Sequence, residues 1–336
     1  MRKIMFFLAL FGVMLLGMSL SFEESEAAEK ILIKAVTSWP INHSGNDNYK
    51  EFIKRVNERS KGEIEIKLLG GPEVVPVFDQ LKAISTGVVD MCHGAKNYYL
   101  GIVPEGIIPE LANQKYEVEV IRESGILETY TQAHLERGKI FFLGNSQMGQ
   151  SFYIMTKKPV SNLEDIKGLK LRTMGGLDDM IFGELGASVV RVPSAETYEA
   201  LQRGIVDGAL RSAISAVELR EYEVMKYIVS PQIYGATAGV YVGEKMWNKI
   251  PQNLQTLMKE VITETEVEAH NYFGDLGRAS LKEAQEKHGM KVIYLSDKDI
   301  TRLNEIRKGN AVREWIYKKA PKYGPPIYEK VLPYIK

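Results

Sequence analysis

The sequence predicts an α/β protein made of two similar lobes that face each other across a cleft. Strand-like stretches alternate with helical stretches of about ten to fifteen residues, which is the pattern of βαβ units and parallel sheets. A helix, a glycine, a short apolar run and an aspartate also occur twice in that order, ending at Asp90 and at Asp207. The length of 336 residues agrees with two lobes, because a single core stops growing at roughly 250–300 residues.

The repeated segment is the more informative observation. Residues 83–90 read AISTGVVD and residues 200–207 read ALQRGIVD. Upstream, residues 66–68 (IKL) and 169–171 (LKL) each precede a pair of glycines. We expect each aspartate to end a strand beside a helix N-terminus, although an acid or base role is also open. The alternative is that strand, glycine and helix follow each other by chance, since this order is common in α/β proteins.

The first half of the chain is predicted to alternate strands and helices. Residues 63–68 (EIEIKL) alternate apolar and polar side chains, which is typical of a strand with one exposed face. Apolar side chains at helical spacing predict a helix around 49–56. The expected order is a strand at 30–37, that helix, the strand at 63–68, a helix at 77–86 and a short strand ending at Asp90.

The second half repeats this alternation and adds connections between the lobes. Its predicted strands are 169–172, 187–192 and one ending at Asp207, with a helix opened by Ser194 before the last. Two strands, 144–155 and 228–242, are predicted to cross between the lobes. Helical patterns follow at 249–269 and 272–288, and short outer helices at 315–334.

The first residues have the layout of a secretory signal. Arg2 and Lys3 precede an apolar run from 4 to 20, and small residues follow at Ala27 and Ala28. We expect cleavage after Ala27 or Ala28 and a periplasmic mature protein. A permanent single-span anchor is the alternative, because the run approaches the roughly 20 residues that cross a bilayer.

Several function classes find no support in the sequence. The 43 basic and 43 acidic residues balance, so nothing indicates a nucleic acid or an anionic membrane as partner. The chain has no P-loop, no G-x-S-x-G motif and no close histidine pair, and its single cysteine, Cys92, excludes an internal disulfide. We therefore predict no catalytic residues, no metal and no cofactor.

Arg172 is the leading candidate for a binding residue. It lies at the C-terminal end of a predicted strand, where ligands of open α/β sheets bind. Its planar guanidinium suits a carboxylate. The alternative is that Arg172 pairs with a nearby carboxylate, Asp178 or Asp179.

Other predicted binding residues surround the same cleft. Arg211 is expected to turn toward it, and Trp39 and Tyr98 could form apolar walls. Glu73, after a glycine pair, could accept a hydrogen bond from a ligand hydroxyl. The full predicted set is Arg172, Arg211, Trp39, Glu73, Tyr98, Ser151, Ser194 and Tyr234.

Six stretches, taken in order, resemble the solute receptors of tripartite ATP-independent periplasmic (TRAP) transporters, the DctP family. Residues 200–208 are the most specific of them. The resemblance covers nearly the whole mature chain and rests on GGPE at 70–73, GVVDM at 87–91, GLKLR at 168–172, PSAETYEALQRGIVDG at 193–208, YEVMKY at 222–227 and WNKIP at 247–251.

The resemblance implies a periplasmic binding protein-like fold, with two lobes joined by crossing strands and a long helix. It implies that a small organic acid binds in the cleft, with its carboxylate on Arg172. The acid would pass to a small and a large membrane subunit driven by an ion gradient. The expected domains are a signal peptide at 1–28, lobe I at 29–149 plus about 238–278, and lobe II at 150–237 plus about 279–336.

Two departures from the family leave the ligand open. Many members have a second arginine where this chain has Gln150, Ser151 and Phe152. Many also have a glutamate after Asp-Gly, where this chain has Ala209, Leu210 and Arg211, so Arg211 could replace the missing arginine. Alternative functions are a secreted α/β enzyme acting on a small organic acid and a ligand sensor for a membrane kinase.

Overall fold

The computed structural model describes residues 30–112 and 114–335. The predicted signal peptide lies outside the described residues. In chain order the strands are β1 (Ile31–Thr37), β2 (Ile64–Gly70), β3 (Met91–Ala95), β4 (Ile140–Gln147), β5 (Phe152–Thr156), β6 (Lys170–Thr173), β7 (Ser188–Arg191), β8 (Gly208–Ser212), β9 (Tyr227–Tyr234), β10 (Ala238–Gly243) and β11 (Lys291–Tyr294).

The helices lie between and after these strands. They are α1 (Asp47–Arg59), α2 (Gln80–Thr86), α3 (Glu117–Arg122), α4 (Leu127–Gly138), α5 (Leu177–Glu184), α6 (Thr197–Gln202), α7 (Ala213–Glu218), α8 (Glu244–Trp247), α9 (Gln252–Glu286), α10 (Asp297–Lys308), α11 (Asn310–Lys319) and α12 (Gly324–Val331). None of the helices within 30–112 and 114–335 combines the length and the apolar character needed to cross a membrane.

The strands form two sheets, with orders β2-β1-β3-β10-β4 and β11-β9-β5-β8-β6-β7. Each sheet contains the predicted parallel unit: β1 is parallel to β2 and β3, and β6 is parallel to β7 and β8. Both sheets are mixed, because β10 runs antiparallel to β3 and β4, and β5 runs antiparallel to β8 and β9. The two-lobe α/β fold is confirmed, and the exact lobe boundaries stay a prediction.

The chain crosses between the sheets at 148–151 and 235–237. Each predicted crossing strand is therefore two strands, one in each sheet: β4 and β5 at the first crossing, β9 and β10 at the second. Gly149 makes the first break possible, because its φ of +76° is rarely adopted by other residues and a Cβ would lie 2.2 Å from the backbone oxygen of His270.

One long helix packs against both halves of the fold. We expected two helices at 249–269 and 272–288, but α9 is continuous over 35 residues. No proline or glycine lies at 270–272 to end it. It packs against α1 and β4 on the first-sheet side and against α7 on the second-sheet side.

The repeated aspartates have the same structural role in both halves, but not the expected one. Each precedes a strand rather than ending one, since β3 begins after Asp90 and β8 begins after Asp207. The Asp90 carboxylate accepts a hydrogen bond from the backbone N–H of Lys34 on β1 at 2.8 Å, and Asp207 accepts from Lys170 on β6 at 2.9 Å. The apolar run before Asp90 predicts a strand, because valine suits strands. In the structure it forms a bend, with Val88 64% exposed. The repeat therefore corresponds to the same contact in both lobes.

Removing these carboxylates is expected to weaken both lobes modestly. Asp90→Ala and Asp207→Ala each lose one hydrogen bond to a strand end, which corresponds to about 0.5–1.5 kcal/mol of unfolding free energy. Asp90→Ala should cost more, because the bond it loses is half-buried whereas that of Asp207 is exposed. Urea unfolding of both variants, with the Asn variants as controls that keep an acceptor oxygen, measures this. An unchanged midpoint for Asp90→Ala would contradict the role.

Candidate functional site

Two arginines project from one face of the second sheet. Arg172 on β6 lies opposite Ala209 on the parallel strand β8, and Arg211 follows Ala209 by two residues. Side chains two residues apart on a strand share a face, so both guanidinium groups lie on the same side of the sheet. Both are buried, with 0% and 2% of their surfaces exposed.

Arg172 is held by neutral oxygen atoms. Its Nε donates to the backbone oxygen of Val192 at 2.9 Å, and its two Nη atoms donate to the backbone oxygen of Leu210 and to Tyr98 Oη, both at 3.4 Å. Within residues 30–112 and 114–335, no carboxylate lies within 4.0 Å of its guanidinium. Burial, more than the charge of neighbouring Arg211, lowers its pKa, but a guanidinium remains charged in proteins. Arg172 is thus a buried cation without a contacting anion.

The carboxylates that could have paired with Arg172 have other partners. Asp178 accepts hydrogen bonds from the Met174 backbone N–H at 2.9 Å and from the Tyr234 hydroxyl. Asp179 accepts from Thr173 Oγ1 at 2.6 Å and Arg191 Nε at 2.7 Å. The alternative interpretation of Arg172 as a partner of these aspartates is therefore wrong.

Arg211 differs from Arg172 because it is already paired. Its Nε and Nη2 donate to the two carboxylate oxygens of Glu221 at 2.7 and 2.6 Å, and its Nη1 donates to Ser194 Oγ at 3.0 Å. Glu221 is fully buried. The sequence analysis missed Glu221, because it follows α7 in a run of charged residues that reads as surface.

A small cavity lies between the two sheets next to Arg211. Its volume is about 20 Å³, little more than the space of one water molecule. Tyr98, which follows β3 of the first sheet, closes it, since Tyr98 Oη accepts from Arg172 and from the Ser194 backbone N–H at 3.2 Å. The residues lining it are Trp39, Ala95, Tyr98, Gln147, Gln150, Phe152, Met174, Ser194, Arg211, Ser215, Ala236 and Thr237.

The cavity includes an unpaired donor that the sequence analysis did not select. Gln150 is 2% exposed, and its Nε2 has no hydrogen-bond partner among the described residues. It belongs to the first crossing segment, at 148–151. Many members of the family that the sequence resembles have an arginine in this region. A buried amide without a partner is costly, so this N–H₂ is suited to an acceptor on a ligand.

The structure brings Arg172, Arg211, Trp39, Tyr98 and Ser194 together, but not the other three predicted residues. Glu73 is exposed and accepts from the Gly71 backbone N–H at 2.7 Å within its own turn. Ser151 lines a different cavity, of about 510 Å³, beside His270. Tyr234 is buried behind the cleft, with its hydroxyl bonded to Asp178.

Buried glutamates hold the crossing segments in place. Glu117 accepts from the Gly149 backbone N–H at 2.6 Å, Glu110 from Thr237 at 2.8 Å, and Glu266 from Asn145 at 2.6 Å. Burial raises the pKa of all three carboxyl groups. The positive charge of Lys96, which is 1% exposed, opposes this pKa shift in each of them. The cluster connects both crossings and α9, so it belongs to the hinge region of the fold.

Cys92 and His93 do not have the pKa values of a catalytic pair, and a metal site is not found among the described residues. Burial raises the pKa of the Cys92 thiol and lowers that of His93 to about 3, whereas a nucleophilic cysteine requires a lowered pKa. The described part of the chain contains no group of three or more His, Cys, Asp or Glu residues placed to bind a metal ion.

Comparison with known proteins identifies the family. Residues 35–315 match the family model of DctP, described as bacterial extracellular solute-binding protein, family 7. The chain belongs to this family. DctP proteins are extracytoplasmic solute receptors of transporters rather than enzymes.

A curated relative and two solved structures agree with this assignment. A monocarboxylate 2-oxoacid-binding periplasmic protein of a Nostoc species is 27% identical, covering 74% of this chain and 70% of the relative. A TRAP periplasmic solute-binding protein of Desulfovibrio salexigens with bound orotic acid has a TM-score of 0.83 at 21% identity, over 91% of this chain and 100% of that one. The corresponding protein of Rhodoferax ferrireducens with bound malonate has a TM-score of 0.79 at 24% identity, over 89% and 98%. At these identities the two structures support the DctP fold.

Proposed function

We propose that this DctP-family chain binds a small organic acid in the cleft between its sheets and delivers it to the membrane subunits of a TRAP transporter. Arg172 carries the proposal, because it is a fully buried guanidinium with no carboxylate contact among the described residues. A buried charge without a partner is unfavourable, and a ligand carboxylate would compensate it with two parallel hydrogen bonds.

The remaining parts of the cleft fit the same role. Gln150 supplies an unpaired amide donor, and Trp39 and Tyr98 supply aromatic surface. The ligands of the compared proteins, a 2-oxoacid, orotic acid and malonate, are all small carboxylates. Export through a cleaved signal peptide would place this receptor in the periplasm.

Binding requires the lobes to separate and close again. The cavity of about 20 Å³ is smaller than any organic acid. The crossing segments at 148–151 and 235–237, together with α9, are the connections about which the lobes would move. In this scheme the acid shifts an equilibrium between open and closed forms by its preference for the closed form.

A thermal-shift screen tests the proposed function. The chain from Glu29 onward, its predicted mature form, is incubated with a library of small organic acids, and with sugars and amines as controls. A ligand at a hundred times its Kd should add about 2.7 kcal/mol to the free energy of unfolding and raise the Tm clearly. Stabilisation by sugars or amines and by no acid would overturn the proposal. Turnover of a bound acid would favour the enzyme alternative instead.

A further inference from the structure

We propose that Glu221 makes this cleft selective for monocarboxylates, because it holds Arg211 in an ion pair and leaves Arg172 as the arginine open to a ligand carboxylate. The inference rests on the proposed function and deepens it. In this proposal Arg211 does not take the place of a second ligand-binding arginine. Glu221 acts through Arg211 and is therefore a positioning residue.

The geometry of the pair supports this assignment. Both carboxylate oxygens of Glu221 accept from Arg211, at 2.6 and 2.7 Å, in the two-bond arrangement that a ligand carboxylate would otherwise occupy. The third nitrogen of the guanidinium donates to Ser194 Oγ. All three nitrogens of Arg211 therefore have partners, in the segments that hold Ser194 and Glu221 between strands of the second sheet, although the Arg211 side chain lines the cavity.

Separating the pair to admit a second carboxylate would be unfavourable. Glu221 is fully buried and Arg211 is 2% exposed. If Arg211 turned to a ligand, the Glu221 carboxylate would lose its partner in a site without water access, which strongly opposes the change. No such barrier exists at Arg172, whose partners are neutral oxygens, two of them at 3.4 Å.

The charges around Arg172 lead to the same conclusion. Arg211, Glu221 and Asp178 are the charged side chains that act on it. Burial raises the pKa of Asp178 to about 6, so at pH 7.5 it is ionised and the four groups sum to zero. A monocarboxylate adds one negative charge, which Arg172 can contact, whereas a dicarboxylate adds a second one while Arg211 stays paired with Glu221. Like charges at close range in a buried site are strongly unfavourable.

The test compares acids that differ only in their second carboxylate. Kd values of the protein at pH 7.5 are measured by calorimetry for valerate and glutarate, 2-oxovalerate and 2-oxoglutarate, and benzoate and phthalate. In the pair that binds best, the monocarboxylate should bind wild type at least tenfold more tightly. Glu221→Gln, which keeps the side-chain shape but frees Arg211 of its charge partner, should reduce that ratio at least tenfold. The control Glu223→Gln changes a surface glutamate of the same turn and should keep the wild-type ratio.

Three outcomes would overturn the inference. The first is equal or tighter binding of the dicarboxylates by wild type, and the second is an unchanged ratio in Glu221→Gln. The third is the absence of binding by any acid of the screening library, which would remove the proposed function as well and so differs from the other two. If Glu221→Gln does not fold, Arg211→Gln/Glu221→Gln replaces it. This double variant lacks both charges and should keep the preference for monocarboxylates; tight dicarboxylate binding by it contradicts the proposal.

Discussion

Arg172→Met is expected to weaken acid binding strongly. Methionine fills much of the same space but removes the buried charge that would contact the ligand carboxylate. Losing one partner of a buried, hydrogen-bonded charge pair costs about 2–5 kcal/mol. This corresponds to a Kd increase of roughly 30-fold to several thousand-fold. Calorimetry with the acid identified in the screen measures it.

Two further variants make the Arg172 result specific. Arg172→Lys keeps the charge but not the planar fork, so we expect an intermediate loss of affinity. Arg203→Met removes an exposed arginine paired with Glu199 on α6, and should bind the acid as wild type does. Because Arg172 also bonds to the backbone of Val192 and Leu210, circular dichroism should establish that each variant is folded. Unchanged affinity in a folded Arg172→Met protein would remove this arginine from the mechanism.

His43→Gln is expected to change how stability depends on pH. His43 is 4% exposed at the contact between the lobes. Its Nδ1 accepts from the Gly45 backbone N–H at 2.9 Å, and its Nε2 lies 3.3 Å from Ser215 Oγ and 3.6 Å from a Glu218 oxygen. Burial, followed by the charge of Arg211, lowers its pKa to about 4. The nearby Glu218 carboxylate, which would raise the pKa, is too exposed to outweigh burial.

The sign of the effect follows from the lowered pKa. Between pH 6.5 and about 4 the unfolded chain binds a proton at His43 and the folded chain does not. Stability contributed by this histidine is therefore present above pH 6.5 and is lost as the pH falls. At pH 5 the loss amounts to about 2 kcal/mol. Glutamine does not titrate, so the variant should gain about that amount relative to wild type between pH 7.5 and pH 5.

Urea unfolding of both proteins across this pH range measures the difference. Comparing them at each pH cancels the contributions of other buried groups, such as His93 and the hinge glutamates, whose pKa values are also shifted. A constant difference from pH 7.5 to pH 5 would contradict the lowered pKa of His43 in the folded protein.

The local pattern of the sequence was enough for the fold class and for most of the elements. Alternation at 63–68 and the repeated segments at 83–90 and 200–207 led to parallel units that the sheets contain. The errors occurred where a local pattern suits two structures. Val88 and Val89 read as a strand but form a bend, and α9 continues where two helices were expected.

The binding site was only partly predictable. The position of Arg172 at the end of a strand made it the leading candidate, because ligands of open α/β sheets bind outside the carboxyl ends of the strands. Glu73 and Ser151 lie elsewhere, since the direction of a loop side chain depends on contacts made far along the chain. Tyr234 ends strand β9, and its hydroxyl is bonded to Asp178. No signal in the sequence indicated that Gln150 would be buried without a partner.

The sequence by itself determined that this chain is a two-lobe α/β receptor of the DctP family, and it made Arg172 the leading candidate for a binding residue. Periodicity and short motifs are local properties, and they are sufficient for those conclusions. Only the tertiary structure decided that Arg172 has no carboxylate contact within residues 30–112 and 114–335, whereas Arg211 is paired with Glu221. Both arginines look alike in the sequence, and their difference arises because burial excludes water and leaves each charge with only the partners that folding brings to it.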